Sequence, residues 1–586
     1  MINHHTLPLQ EIAHLAAGGG SPEGVAALRR GQLSRNIMLI LTVTENAASA
    51  CKEAYDLLAA AQTADPEAAS RVLGHPQTGV RLGALIEDLK HGVDVLSAPL
   101  TEIAVAVAIR AGHRFEAKLT VTAGKVMLPT LGLADFGATT DDGIALVRHE
   151  DVTTIEHGGT VVTVPADPGQ DAPGWYGLRR LRVPTPDGEA EVDLDDVDPY
   201  RDRYGLGVGP RLSEAEAARW HRLLGESVEL LSRHDPERAA ALPGYLVQLV
   251  PVPAGANGAG VSNTLQDAYG AVASSPPADA AALAETVIHE TQHSKLFALM
   301  DLFQLLEDDG AGLHYSPWRD DPRPLTGLLH GAYSFVGVTG FWNWHRTLVD
   351  QGEARFAHFQ FARHLRQTGY AAGILLASGR LTPYGEAFTK SMDLQLDQWR
   401  DAPVPDDVAA WAELTTTDHW LCWRMRNLSF EEVGALASAW TAGHPRPAGP
   451  QPQALFTAAE PSALAGRGRM LLLAALLHRP ERFDEPDLLL ADTQALLVGG
   501  HVGEADLALV SGEHSRALAG YLAGIAGSPR DIEQWAGWTL ARRSLTDDDV
   551  NRVLHDRPEL VYRLHLHILE VTGTAPDPES LAVWLA

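Results

Sequence analysis

Cysteine is almost absent from the 586-residue chain: there are two, Cys51 and Cys422, and no CxxC pair. A thiolate zinc site or an iron–sulfur cluster therefore has no ligands here, and the two thiols read as buried side chains of a reducing compartment. Positive charge is scarce too, with 46 Lys and Arg against 75 Asp and Glu and a formal net charge of −29. Nucleic-acid binding needs clustered cations, so this balance argues against a nucleic-acid partner and against docking on an anionic membrane. A basic or mixed-charge peptide would be attracted. Long hydrophobic runs are missing as well. The longest apolar stretches, such as Ile103–Ile109 and Met470–Leu477, fall short of the roughly 20 residues a membrane-spanning helix needs. Met1–Ala17 has no basic segment followed by an apolar one, so no secretory signal is expected. These absences point to a cytoplasmic protein with no membrane partner.

What is present is enough chain for two or three domains. Apolar residues recur at helical spacing from about residue 7 to 112, with Leu33, Ile37 and Leu41 as one stripe. The period then changes. Leu119–Val121 and Thr160–Val164 are β-rich, and Gly158-Gly159 predicts a hairpin between 151–156 and 160–164. Pro186-Asp187-Gly188 predicts a second hairpin. Helix returns over 213–242, strands are expected at 245–252 and 269–274, and helix again at 352–442. Gly443–Gln453 is rich in Pro and Gly and reads as a linker. The expectation is an α+β fold, predominantly helical. It comprises an N-terminal helical region (1–114), a β-rich subdomain (115–205), a helical core that binds a metal (206–442), the linker (443–453) and a helical C-terminal domain (454–586).

The strongest chemical signal is His289-Glu290-Thr291-Gln292-His293. Pro276-Pro277-Ala278-Asp279 is a good helix start, and the helix is expected to run to about Leu306. Histidines at i and i+4 share a helix face and can share one cation. Glu290 sits on the flank of that face and is the candidate catalytic residue: a base, an orienting partner or a ligand. A catalytic ion needs a third protein ligand and open positions. The zinc-peptidase continuations are missing: Leu296 and Leu299 occupy positions where a metzincin has Gly and His, and no Glu stands about twenty residues on. Asp301, Asp308 and Asp309 read better as helix-end residues. Of the later histidines, His314, His330 and His345, we favour His330, in an apolar segment downstream of the motif helix.

Between motif and His330 lies Tyr315-Ser-Pro-Trp-Arg-Asp-Asp-Pro-Arg-Pro-Leu325, which holds Arg319 and Arg323 beside prolines. These arginines either pair with Asp320 and Asp321 at the surface or clamp an anion, since a guanidinium fork suits a carboxylate. A metal with three protein ligands and a nearby guanidinium meets the needs of a 2-oxoglutarate oxygenase, whose cosubstrate chelates Fe(II) and carries a distal carboxylate.

The runs Ala284–Leu296, Tyr315–Leu325 and Gly327-Leu-Leu-His330-Gly-Ala-Tyr333 resemble the HExxH-type peptide β-hydroxylases of ribosomal-peptide natural-product maturation, some of which are fused to radical SAM domains that form cyclophanes. The resemblance extends over residues 7 to about 440 and is specific around 262–345. It implies hydroxylation at a β-carbon of a precursor-peptide residue, dependent on Fe(II), 2-oxoglutarate and O2. It implies His289, His293 and His330 as metal ligands and Arg319 or Arg323 as the cosubstrate anchor. The chain has no radical SAM cysteine motif, so cyclophane chemistry would need a separate maturase as partner. Two other readings stay open: a zinc metallopeptidase in which Glu290 activates water, and a peptide-binding module without catalysis.

Overall fold

The computed structural model describes residues 5–46, 48–92, 98–137, 142–255, 258, 260–307, 312–430, 433–447, 455–456, 468–497 and 500–586. Helix outweighs strand, 61% to 13%, and the sheets are small and open, so the fold is α+β and predominantly helical. The chain forms two compact units. One comprises Met1–Leu305 and Thr382–Met392, the other Leu306–Leu381 and Asp393–Ala586. The division falls inside 206–442, between the helix that carries the HExxH motif and the one that carries His330. Asp308, Asp309 and most of the 443–453 linker lie outside the described residues.

In the first unit, helices from Leu9–Ala16 to Ala98–Arg110 come first. Ala98–Arg110 is apolar along most of its length, with Leu100 and the run Ile103–Ala108 buried. Its Leu100 and Ile103–Ala108 meet Leu119, Val121, Val147, Ile155 and Trp175 in one core, so the β-rich segment is folded onto the N-terminal helices. That segment contains an antiparallel sheet in the order Phe115–Val121, Gly143–His149, Thr153–His157, Thr160–Val164. The hairpin turn falls at Gly158-Gly159, whose φ values of 56° and 82° are those of the tight turn that glycine permits. The second hairpin pairs Arg179–Thr185 with Gly188–Leu194.

Gly188–Leu194 continues into a mixed five-stranded sheet. Gln248–Pro251 runs parallel to it and to Ala271–Ser274, and Ser262–Asn263 closes the far edge. Both parallel strands are buried along their whole length, as strands covered on two faces are. The first is shorter than the 245–252 expected, because Tyr245 ends the helix Pro236–Tyr245. Ala271–Ser274 feeds the motif helix, Ala280–Met300. Its N-cap, Asp279, accepts from Ala282 N at 2.9 Å. Arg219 of the helix Glu214–His234 donates to Pro277 O at 2.6 Å, and Ser227 to Ala280 O at 2.8 Å, fixing the point of entry.

The motif helix stops six residues before the expected Leu306. At its C-cap, Asp301 accepts from Gln32 Nε2 at 2.8 Å and pairs with Arg35 Nε at 3.4 Å. Arg35 also binds Asp267. Asp267 lies against Pro76–Lys90 where Gly79 and Gly83 leave room: a Cβ at Gly79 would stand 1.9 Å from Asp267 O. A tertiary ion-pair network thus ends the helix where its local periodicity would continue.

The second unit is helical. Leu325–His345, Gln351–Ala377 and Asp406–Asn427 precede an array from Gly468–His478 to Pro578–Leu585. Trp535, Trp538 and Tyr521 form its core with Leu421 and Met425. Buried Arg469 holds Asp418 and, at 2.8 Å, Asp506. Cys51 and Cys422 are buried free thiols. Among the described residues no helix is long and apolar enough to cross a membrane.

Candidate metal centre

Helical geometry stacks residues four apart, and in Ala280–Met300 it brings His289 Nε2 within 3.1 Å of His293 Nε2, the rings inclined at 76°. Every residue of Val287–Leu296 except these two is buried; both histidines are partly exposed. Burial pushes the His289 imidazole below its ordinary value, against the opposing charge of Glu290, so the ring favours the neutral form that can ligate a metal. Without an ion the same distance is met by a hydrogen bond in which one Nε2–H donates to the other ring.

The donor set fits a metal. With a metal–nitrogen bond of about 2.1 Å, nitrogens 3.1 Å apart subtend about 95° at the ion. A tetrahedral angle at that bond length would need about 3.4 Å. The 3.1 Å separation is also that of the hydrogen bond between the rings, and it lies within about 0.3 Å of both coordination geometries.

Glu290 is 3% exposed and turns away to the sheet. Its Oε1 accepts from Ser262 Oγ at 2.6 Å and its Oε2 from Thr264 Oγ1 at 2.7 Å; Thr264 Oγ1 also lies 3.1 Å from Glu290 O. Both carboxylate oxygens are thus engaged by the edge strand Ser262–Asn263 and the residue after it. Nothing in the sequence pattern flagged Ser262 or Thr264. Lys295, buried one turn on, donates to Gly19 O at 2.8 Å and lies 5.3 Å from the Tyr245 ring centre. Burial and Arg238 push its ammonium well down. Asp301 is spent on Gln32 and Arg35.

The remaining candidates belong to the second unit. His330 is buried on Leu325–His345, and burial brings its imidazole down to about 4. Next to it, Gly331 makes room for Trp318: a Cβ there would meet the indole at 2.9 Å. Trp318 stacks on Phe335 at 4.4 Å, and Tyr315 is buried against Trp420 and Trp423, with its hydroxyl 2.8 Å from His419 Nδ1. Paired main-chain hydrogen bonds of 2.7 and 2.9 Å between His314 and Arg323 close the segment between them as a loop. Its aromatic residues face inward and its arginines outward. Arg319 Nε and Arg323 Nη1 both reach Asp321, at 3.1 and 3.3 Å, while Asp320 is shared by Arg426 and His419. The two guanidiniums therefore converge on one carboxylate. His345 stacks on Phe341 at 5.2 Å.

No family model matches the chain, and no curated protein matches it.

Within neither unit, among the described residues, do three or more His, Cys, Asp or Glu side chains gather in a metal-binding cluster. The structure joins His289 to His293 in one unit, and Arg319 to Arg323 through Asp321 in the other.

Proposed function

We propose that the chain is an Fe(II)- and 2-oxoglutarate-dependent dioxygenase that hydroxylates a β-carbon of a residue in a ribosomally made precursor peptide. The observation that carries this reading is the His289–His293 pair, two imidazole nitrogens 3.1 Å apart at the partly exposed positions of a buried helix. The continuations that mark zinc peptidases are missing after the HExxH motif, which favours non-haem iron over zinc.

In this reading His289 and His293 hold the metal. Bound iron, with 2-oxoglutarate and O2, supplies the oxidising power to hydroxylate an unactivated C–H bond. Arg319 and Arg323 both pair with Asp321, so either must give up that partner to hold the distal carboxylate of 2-oxoglutarate. Glu290 positions the His289 turn against the sheet. A zinc peptidase would require Glu290 to take a proton from an attacking water, whereas here the carboxylate is buried and each oxygen accepts from a hydroxyl, of Ser262 and of Thr264. The protein would act in the cytoplasm, and any cyclophane step would fall to a separate radical SAM maturase.

The test is anaerobic reconstitution with Fe(II) and 2-oxoglutarate, then admission of air with a candidate peptide encoded beside the gene, read by mass spectrometry. Addition of one oxygen atom that needs both 2-oxoglutarate and air is expected. Peptide cleavage that needs neither would replace this reading with the peptidase.

A further inference from the structure

Three cavities of the first unit, of about 710, 500 and 210 Å³, are all lined by Arg110. The smallest has four guanidiniums in its wall, Arg29, Arg71, Arg110 and Arg180, against two carboxylates, Glu191 and Asp193. The 710 Å³ cavity adds Asp167, Asp171 and Glu214 against Arg179, Arg182 and Arg211, and the 500 Å³ cavity adds Asp65, Glu67 and Asp151. Both carboxylates of the smallest cavity are already matched. Asp193 takes Arg180 Nε at 3.0 Å and lies 3.2 Å from His75 Nε2; Glu191 takes Arg182 at 3.0 Å and lies 3.5 Å from Arg180. Among the described residues, none of Arg29, Arg71 and Arg110 has a carboxylate within ion-pair distance. Arg29 donates to Pro243 O at 3.1 Å, and Arg110 donates to Thr130, through Oγ1 at 2.8 Å and through its carbonyl. Burial, followed by the repulsion of Arg180, lowers the Arg110 guanidinium to about 10.

Two further features concern the same wall. Thr130 is held with φ at 66°, a left-handed conformation that a β-branched residue rarely adopts, by Gln77 Oε1 on its N–H at 2.7 Å and by Arg110 on its carbonyl. Arg179–Thr185 is the outermost strand of the five-stranded sheet. Asp193 N–H is bonded to Val247 O, so antiparallel alternation turns the main-chain N–H groups of Arg180 and Arg182 away from Gly188–Leu194, to the outer edge, where His221 Nε2 of the helix Glu214–His234 lies 2.8 Å from the Arg182 carbonyl. Both residues line the 710 Å³ cavity.

We propose that the 210 and 710 Å³ cavities, which share Arg110, Thr130 and Arg180, bind an acidic peptide segment, its carboxylates on Arg71 and Arg110 and its main chain on the outward N–H groups of Arg180 and Arg182. A guanidinium fork recognises a carboxylate with two parallel hydrogen bonds, and an open strand edge recognises peptide backbone. The outward main-chain N–H groups beside the arginines favour a polypeptide over a single small anion. Only the nature of the carrier rests on the peptide-substrate reading. Binding here needs no metal, so its failure and the failure of the hydroxylase are separate results.

The experiment uses the full chain and fluorescence anisotropy with a labelled peptide of alternating Glu and Gly, its Gln–Gly counterpart, inorganic phosphate and a single-stranded oligonucleotide. The Glu peptide is expected to bind, more weakly as salt rises, and the Gln peptide is not. Arg71→Glu, at an exposed position, is expected to weaken Glu-peptide binding at least tenfold, Arg110→Gln likewise, and Arg400→Glu in the second unit to leave it unchanged. Equal binding of the two peptides, equal affinity in Arg71→Glu, or no binding overturns the proposal. So does displacement of the peptide by millimolar phosphate, or tighter, Arg71-dependent binding of the oligonucleotide.

Discussion

Replacing Glu290 separates the two chemistries an HExxH helix is most often asked to do. Its carboxylate accepts two hydroxyl hydrogen bonds, at 2.6 and 2.7 Å. Hydrogen bonds to a charged group contribute about 1.5–3 kcal/mol each. Ser262 is exposed and regains water, and the Thr264 hydroxyl retains a main-chain acceptor, so both bonds fall at the low end of that range. Glu290→Ala is therefore expected to cost about 3 kcal/mol, or roughly 6 °C in the melting of a unit this large. Glu290→Gln keeps the shape and one acceptor oxygen, while its amide donates to the other hydroxyl, so the cost is about 1 kcal/mol. The assay measures melting temperature, bound iron and peptide hydroxylation on the same preparations. Glu290→Gln is expected to keep its metal and a substantial part of its hydroxylation. A folded Gln variant with full iron and no turnover would refute the positioning role.

Arg81 is fully buried, with Asp198 on its fork at 2.7 and 3.1 Å and Glu102 on Nε at 3.0 Å; Arg81→Ala strands those charges and is expected to lose about 3–5 kcal/mol in chemical denaturation. Burial raises Glu533 from 4.5 to about 7, against the pull of Arg469. Because its folded value lies above its unfolded one, that contribution is fully present below about pH 4.5 and is lost as pH rises to about 7, an effect of about 3 kcal/mol. Denaturation of the second unit at pH 5 and 7.5 is expected to show this loss, and Glu533→Gln to flatten it. Arg319→Ala or Arg323→Ala is expected to raise the 2-oxoglutarate concentration at half-maximal rate while leaving bound iron unchanged; if neither does, the clamp is elsewhere.

Much of the local structure was legible because its causes are local. Asp279 caps the motif helix through its own side chain, Gly158-Gly159 supplies the positive φ its hairpin needs, and the i, i+4 spacing alone brings His289 to His293. What escaped depends on partners distant in the chain. Asp301 ends the motif helix through Gln32 and Arg35, against the apolar period that would carry it to Leu306. Ser262 and Thr264, which fix Glu290, sit in a short edge strand with no periodic signal. The arginine-lined cavities draw Arg29, Arg71, Arg110 and Arg180 from separate elements, and a net charge of −29 gives no hint of such a concentration. Residue types and spacing revealed the histidine pair and offered the surface pairing of Arg319 and Arg323 with Asp321 that the structure shows, whereas the contacts of Asp320 with Arg426 and His419 depend on a helix distant in the chain.

The most direct test is the iron content of the anaerobically loaded full chain, compared with that of the His289→Ala, His293→Ala double variant after the same loading and desalting. One Fe(II) per chain in the wild type and none in a folded double variant is the expected result. Equal iron in the two proteins, or none in either, would contradict a metal centre built on this helix.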